Sequence, residues 1–210
     1  MIYRLKKRFE KIKTKKLKNK FKRSLEESEK LRELDINSIH NTWVALQKAK
    51  INDYDEFYNV SLYSSIVNRD IAILWNNYIL TESKSEKNLY GRLLSMTIIE
   101  YLDDINGLLG KKLRLELEEN SMNEYIHVFN KVNKSFAKIK TQFNSELRKI
   151  RNNSAAHKTK KSKDLLDFTR DEHLESLNEI ARIVSEINLI LIKLSSQIVI
   201  KITEQIKSKK

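Results

Sequence analysis

The sequence has 210 residues, 40% hydrophobic and 33% charged, enough apolar content for one sizeable core in a highly charged chain, with room for an appended arm. Cysteine and proline are absent and glycine occurs only at Gly91, Gly107 and Gly110, which excludes disulfide and thiolate chemistry, a glycine-rich phosphate loop, and a fold of many short strands joined by tight turns. Net charge is +13; residues 1–24 hold twelve Lys/Arg against Glu10 alone, so +11 belongs to this arm and the other 186 residues share +2.

In chain order, Ile2, Leu5, Phe9 and Ile12 fall at helical spacing among lysines and arginines. Lys16 interrupts the stripe, and Leu17 with Phe21 resumes it. This predicts a basic amphipathic helical arm over 1–24, suited to RNA, to an anionic membrane surface or to an acidic partner. A partly disordered, solvated tail is the alternative. The basic start is not followed by an apolar core, so no signal peptide is expected. Without cysteine the compartment is left open, and the cytoplasm is the expectation.

Residues 25–210 read as a helical domain. Ser24-x-x-Glu27, Ser83-x-x-Glu86, Ser121-x-x-Glu124 and Thr169-x-x-Glu172 match the capping box that opens helices, and Asn52-Asp53 marks another start. These signals and the apolar periodicity predict a short helix near 36–50 and long ones at about 54–81, 85–107, 122–157 and 170–206. Gly107 and Gly110 suit the C-terminal end of the third. In the last helix Leu177, Ile180, Val184, Ile187, Leu191, Leu194 and Ile198 repeat at spacings of three and four. Ile183, Ile190, Ile192, Val199, Ile202 and Ile206 widen that face, as in a bundle that also dimerises. The longest aliphatic run here, Leu189–Ile192, falls far short of a membrane span. The expected fold is all-α, an antiparallel bundle of four to five long helices carrying a basic N-terminal helical arm.

Arg151-Asn152-Asn153-Ser154-Ala155-Ala156-His157 is the stretch that reads as chemistry. His157 titrates near neutrality and can take a 2′-OH proton. Arg151 is permanently charged and can bridge phosphate oxygens, and Asn152 can hold the histidine or the phosphate. Six residues are about 600° of helix, so Arg151 and His157 project about 120° apart. Convergence on one phosphate needs the reach of arginine, fraying near His157, or a second copy of the motif. The small run Ser154-Ala155-Ala156 admits close approach. Lys158, Lys160, Lys161 and Lys163 adjoin the motif and could guide an RNA backbone, or form an ordinary solvated loop. The structural alternative for Arg151 and His157 is a helix end, the histidine favoured by the C-terminal dipole.

Glu146-Leu147-Arg148-Lys149-Ile150-Arg151-Asn152-(x4)-His157, followed by a final long helix, resembles the HEPN superfamily of helical nucleotide-binding proteins, closest in flavour to bacterial abortive-infection and toxin-like members. The likeness spans roughly 36–206 in helix order and 146–157 in motif. It implies a HEPN-like helical bundle, a homodimer with two motifs meeting at the interface, and metal-independent endoribonuclease activity leaving 2′,3′-cyclic phosphate. It implies no cofactor, and a toxin–antitoxin or phage-defence setting with an antitoxin protein as partner. Thr159 stands where some toxin members carry a tyrosine that their antitoxin modifies, so neutralisation by that route is not expected.

Leu89, Leu93 and Met96 define a line that continues through Glu100 and Asp103. Acids on a buried line need partners, and Arg151 or Arg92 could supply one, placing Glu100 and Arg92 in support of the site. Otherwise Glu100 lies where the line reaches solvent. His40, His127 and His173 show no metal-ligand spacing, so no metal site is expected. Trp43 and Trp75 lie within apolar series and read as core anchors. The rivals to a nuclease are a non-catalytic nucleotide- or RNA-binding or regulatory bundle, and a peripheral membrane protein held by residues 2–21.

Overall fold

A computed structural model describes the backbone of residues 2–150 and 176–208 and the side chains of 20–150 and 176–208. All regular structure among the described residues is helical: α1 (Ile2–Lys48), α2 (Asp55–Leu80), α3 (Lys84–Leu108), α4 (Lys111–Glu119), α5 (Asn123–Ile150) and α6 (Leu177–Ser208). The chain divides into two units, Met1–Ser38 and Ile39–Lys210.

The first unit is helix throughout its described length, with Phe21, Leu31 and Leu34 exposed. Ser24 does not start a helix: it lies inside α1, where its carbonyl accepts from the Ser28 hydroxyl at 2.8 Å. The expected helix near 36–50 is the end of this same α1. The reason is compositional, because no glycine or proline precedes Gly91 and the segment is rich in Lys, Arg, Glu and Leu. What stops α1 is Lys50, held at φ 60° while the Ile51 amide closes back onto the Leu46 carbonyl at 3.0 Å.

In the second unit four long helices close a ring in the order α2, α3, α5, α6, each packed on the next. Hydrogen bonds between α2 and α6 fix an antiparallel register: Tyr54 to Gln205 at 3.0 Å, Ser61 to Ser195 at 3.0 Å, Asn188 to the Ser64 carbonyl at 3.1 Å and Trp75 to Asn178 at 3.1 Å. Between α2 and α3 lie only residues 81–83, and there Ser83 caps α3 as read, its hydroxyl accepting from the Glu86 amide at 3.3 Å, while the Glu86 carboxylate accepts from the Thr81 hydroxyl instead of closing the box on the Ser83 amide. The core is built from Phe57, Ile71, Leu94, Ile98, Leu102, Phe136, Ile180, Val184, Leu191 and Ile198, all essentially buried. Trp43 and Trp75 are partly buried against it.

Helix α4 is absent from the sequence reading. Gly110 is its first flanking residue and sits so close under the end of α3 that a Cβ would lie 2.5 Å from the Gly107 carbonyl oxygen, so glycine is required there. Leu113 and Leu117 then bury into the core. Ser121 has φ 56° and closes α4, with the Met122 amide bonded to the Leu117 carbonyl at 2.8 Å. It is therefore a helix stop, and the capping box expected at Ser121 is not made.

The apolar face of α6 is largely as read, since Leu177, Ile180, Val184, Leu191, Leu194, Ile198 and Ile202 are buried. Ile190 is exposed, together with Leu189 and Ile200. Although its longest aliphatic run is four residues, α6 as a whole is long and apolar enough to cross a membrane by length and composition. In this fold its apolar line supplies the bundle core.

Candidate functional site

The motif residues Arg151, Asn152 and His157 and the neighbouring Lys158, Lys160, Lys161 and Lys163 lie outside the described residues, as do Thr169 and His173. The structure describes the ground on either side of them. Helix α5 brings Leu147 and Ile150 into the core immediately before Arg151, and α6 begins with buried Leu177. Across this junction the Ser176 hydroxyl donates to Oε1 of Glu146. Residues 146 and 176, on either side of 151–175 in sequence, are thus in direct contact.

One turn before Arg151, Arg148 sends Nη2 to both carboxylate oxygens of Asp103 on α3, at 2.8 and 2.9 Å, while its Nε donates to Oδ1 of Asn144 at 2.8 Å. Lys140 reaches the same carboxylate at 2.8 Å. Burial pushes the Asp103 carboxyl up, but the bonds and charges of Lys140 and Arg148 outweigh it and hold the group below the ordinary carboxylate range. The partner of Asp103 is therefore this pair of α5 cations. The two bonds from Nη2 to Asp103, with Nε held by Asn144, also fix the last turn of α5 against α3. The signal in the sequence was the Asn144/Arg148 spacing of four, which puts the amide and the guanidinium on one helix face.

Arg92 is half-buried and its Nε donates to the Asn88 carbonyl at 3.2 Å. Glu100 is exposed beside Tyr63, whose hydroxyl donates to Asp104 at 2.9 Å. Burial first, then the Asp104 bond and the charges of Asp104 and Glu100, push the Tyr63 phenol up. The buried line of α3 is Leu94, Ile98, Tyr101, Leu102 and Ile105, and Leu89, Leu93 and Met96 form its outer flank. Glu100 continues that flank.

At the opposite end of α2 a second polar assembly holds the fold. Asp53 does not cap α2; the capping group is Glu116 of α4, whose two carboxylate oxygens accept from the backbone amides of Glu56 and Phe57 at 2.7 and 2.8 Å. Burial pushes the Glu116 carboxyl up to about 7, partly opposed by those two amides, with Glu56 and Asp55 adding to the rise. Asn120 joins the same end, donating to the Asp53 carbonyl at 2.7 Å. Among the described residues no group of three or more His, Asp or Glu is arranged to hold a metal ion.

No protein-family model matches the chain, and neither a curated protein nor a solved structure matches it.

Proposed function

We propose that this chain is a HEPN-like, metal-independent endoribonuclease of a toxin or phage-defence system, working as a homodimer. The observation that carries the reading is the sequence Arg151-Asn152-(x4)-His157 at the junction of the last two long helices of an all-α bundle. In the reaction His157 takes the 2′-OH proton, the 2′-oxygen bonds to phosphorus, and the 5′-oxygen leaves with a proton. The products are a 2′,3′-cyclic phosphate and a 5′-hydroxyl. Arg151 stabilises the charge on the pentacoordinate phosphate, and Asn152 orients either group. Lys158, Lys160, Lys161 and Lys163 would steer the backbone to the pair, and the arm over 1–24 would raise affinity. A continuous helix would set Arg151 and His157 roughly 120° apart, and a second copy of the motif, each protomer completing the other's site, is one way to bring the two groups onto one phosphate. The exposed Leu189, Ile190 and Ile200 on α6 support an interface between copies.

The test is incubation of the purified chain with structured RNA in excess EDTA, beside His157→Ala and Arg151→Ala variants. Cleavage by the wild type alone, with cyclic-phosphate ends, is the expected result. RNA bound but uncut by all three would replace this reading with a non-catalytic RNA-binding or regulatory protein. Equal cleavage by all three would place the activity elsewhere.

A further inference from the structure

Helix α5 sorts its cations into two groups. Lys140 and Arg148 turn toward α3 and share the carboxylate of Asp103. Lys131, Lys134, Lys138 and Lys149 are exposed, and none is ion-paired with an acid among the described residues. At 100° per residue these four lie within about 60° of one another, and His127 falls on the same face. From His127 to Lys149 this outer face runs about 33 Å at 1.5 Å per residue. The gap between Lys138 and Lys149 is filled by Thr141, Gln142 and Ser145, all exposed, neutral and able to hydrogen-bond. The one acid in that stretch, Glu146, is occupied by Ser176. An open groove of about 490 Å³ lies over the first part of the face, lined by His127, Asn130, Lys131, Lys134, Ser135 and Lys138.

We infer that the outer face of α5 is a track for the phosphate backbone of RNA, running along the helix toward its C-terminal end, where residue 151 follows. The argument is one of charge and of what is missing beside it. Four unneutralised lysines in a row create a field that only a polyanion with spaced charges can satisfy along its length. A membrane surface would also want apolar side chains to insert between the charges. No large hydrophobic residue on α5 is exposed. Lysine, a point charge on a long flexible stem, suits sequence-independent contact with phosphates, and the neutral hydroxyls and amides between suit sugar and phosphate oxygens. The choice of RNA among polyanions rests on the proposed function above; the location of the track rests on α5 alone.

The experiment measures binding of a fluorescein-labelled single-stranded RNA to the full chain by anisotropy across a salt series, in a His157→Ala background so that no probe is consumed. One variant carries Lys131→Ala, Lys134→Ala and Lys138→Ala. A control variant removes the same charge elsewhere by Lys48→Ala, Lys111→Ala and Lys201→Ala. The α5 variant should weaken binding about tenfold or more and lower the salt slope by about 2, at roughly 0.7 per lost phosphate contact on a single strand. The control variant should leave both nearly unchanged. Equal losses in the two variants would show that only net charge matters and would overturn the track. So would a selective loss by the α5 variant on phosphatidylserine vesicles with RNA binding unaltered, since the face would then be a lipid-binding one. Loss of RNA binding specific to α5, in a protein whose wild type cuts no RNA, would uphold the track while the endoribonuclease reading falls.

Discussion

Glu116 is held between opposing influences: burial disfavours its charge, and two backbone amides at the start of α2 favour it. Burial prevails, and the carboxyl titrates near 7 in the folded chain against an ordinary 4.5. The folded state therefore holds this proton more tightly than the unfolded one. The resulting stability is complete below pH 4.5 and is lost as pH rises through about 7. Urea unfolding across that window should show stability falling with pH, and Glu116→Gln should flatten the dependence. Removing the group with Glu116→Ala should cost most at the acid end of that window, about 0.5–2 kcal/mol, and less as pH rises through about 7. Asp103 acts with the opposite sign: its contribution is present above its ordinary 3.8 and disappears as pH falls through its lowered folded value. Ser121 supplies a second test at this scale. Its left-handed backbone carries a side chain where glycine would be unstrained, so Ser121→Gly should raise the unfolding free energy by about 1 kcal/mol, read from the urea midpoint.

Among the elements, the long helices were legible because apolar periodicity and the Ser83 cap report directly on burial and capping. Their stops at Lys48, Leu80 and Leu108 lie within two residues of the expected ends at 50, 81 and 107, though with so few glycines it is Lys50 and Ser121 that take the left-handed turn. A serine three residues before Glu124 then looks like a start when it is an end. The nine-residue α4 escaped for a related reason: it is too short for periodicity to stand out, and its evident role, capping α2 with Glu116, is a contact sixty residues away in sequence. A purely apolar reading of α6 also passes over Asn188 and Ser195, which occupy its buried line. Asn188 accepts from the Tyr101 hydroxyl at 2.8 Å and donates to the Ser64 carbonyl, tying α6 to α3 and α2 at one level. Asn188→Ala leaves the buried Tyr101 hydroxyl with only a 3.4 Å contact to Ser64, and should destabilise by about 2–3 kcal/mol. A double-mutant cycle with Tyr101→Phe should return a coupling of at least about 0.5 kcal/mol. Additive losses would mean that the layer is not a unit. Of the candidate site, the sequence named the groups able to do chemistry. It did not show that Arg148, one turn earlier, is committed to Asp103, because that pairing depends on how α3 and α5 face each other.

For the molecule as a whole, the proposed activity depends on two copies. Leu189 and Ile200 lie about 20° apart on the outer side of α6, with Ile190 at their flank. Sedimentation should give about twice the 24.9 kDa protomer mass for the wild type and a single protomer for Leu189→Glu with Ile200→Glu, with cleavage lost in parallel. A wild type that sediments as one protomer would remove the second copy from the proposed site. The Glu146–Ser176 contact has a different kind of consequence. Because it binds the start of α6 to the last turns of α5, thirty residues apart in sequence, those two helix ends are secured by each other and cannot fray independently.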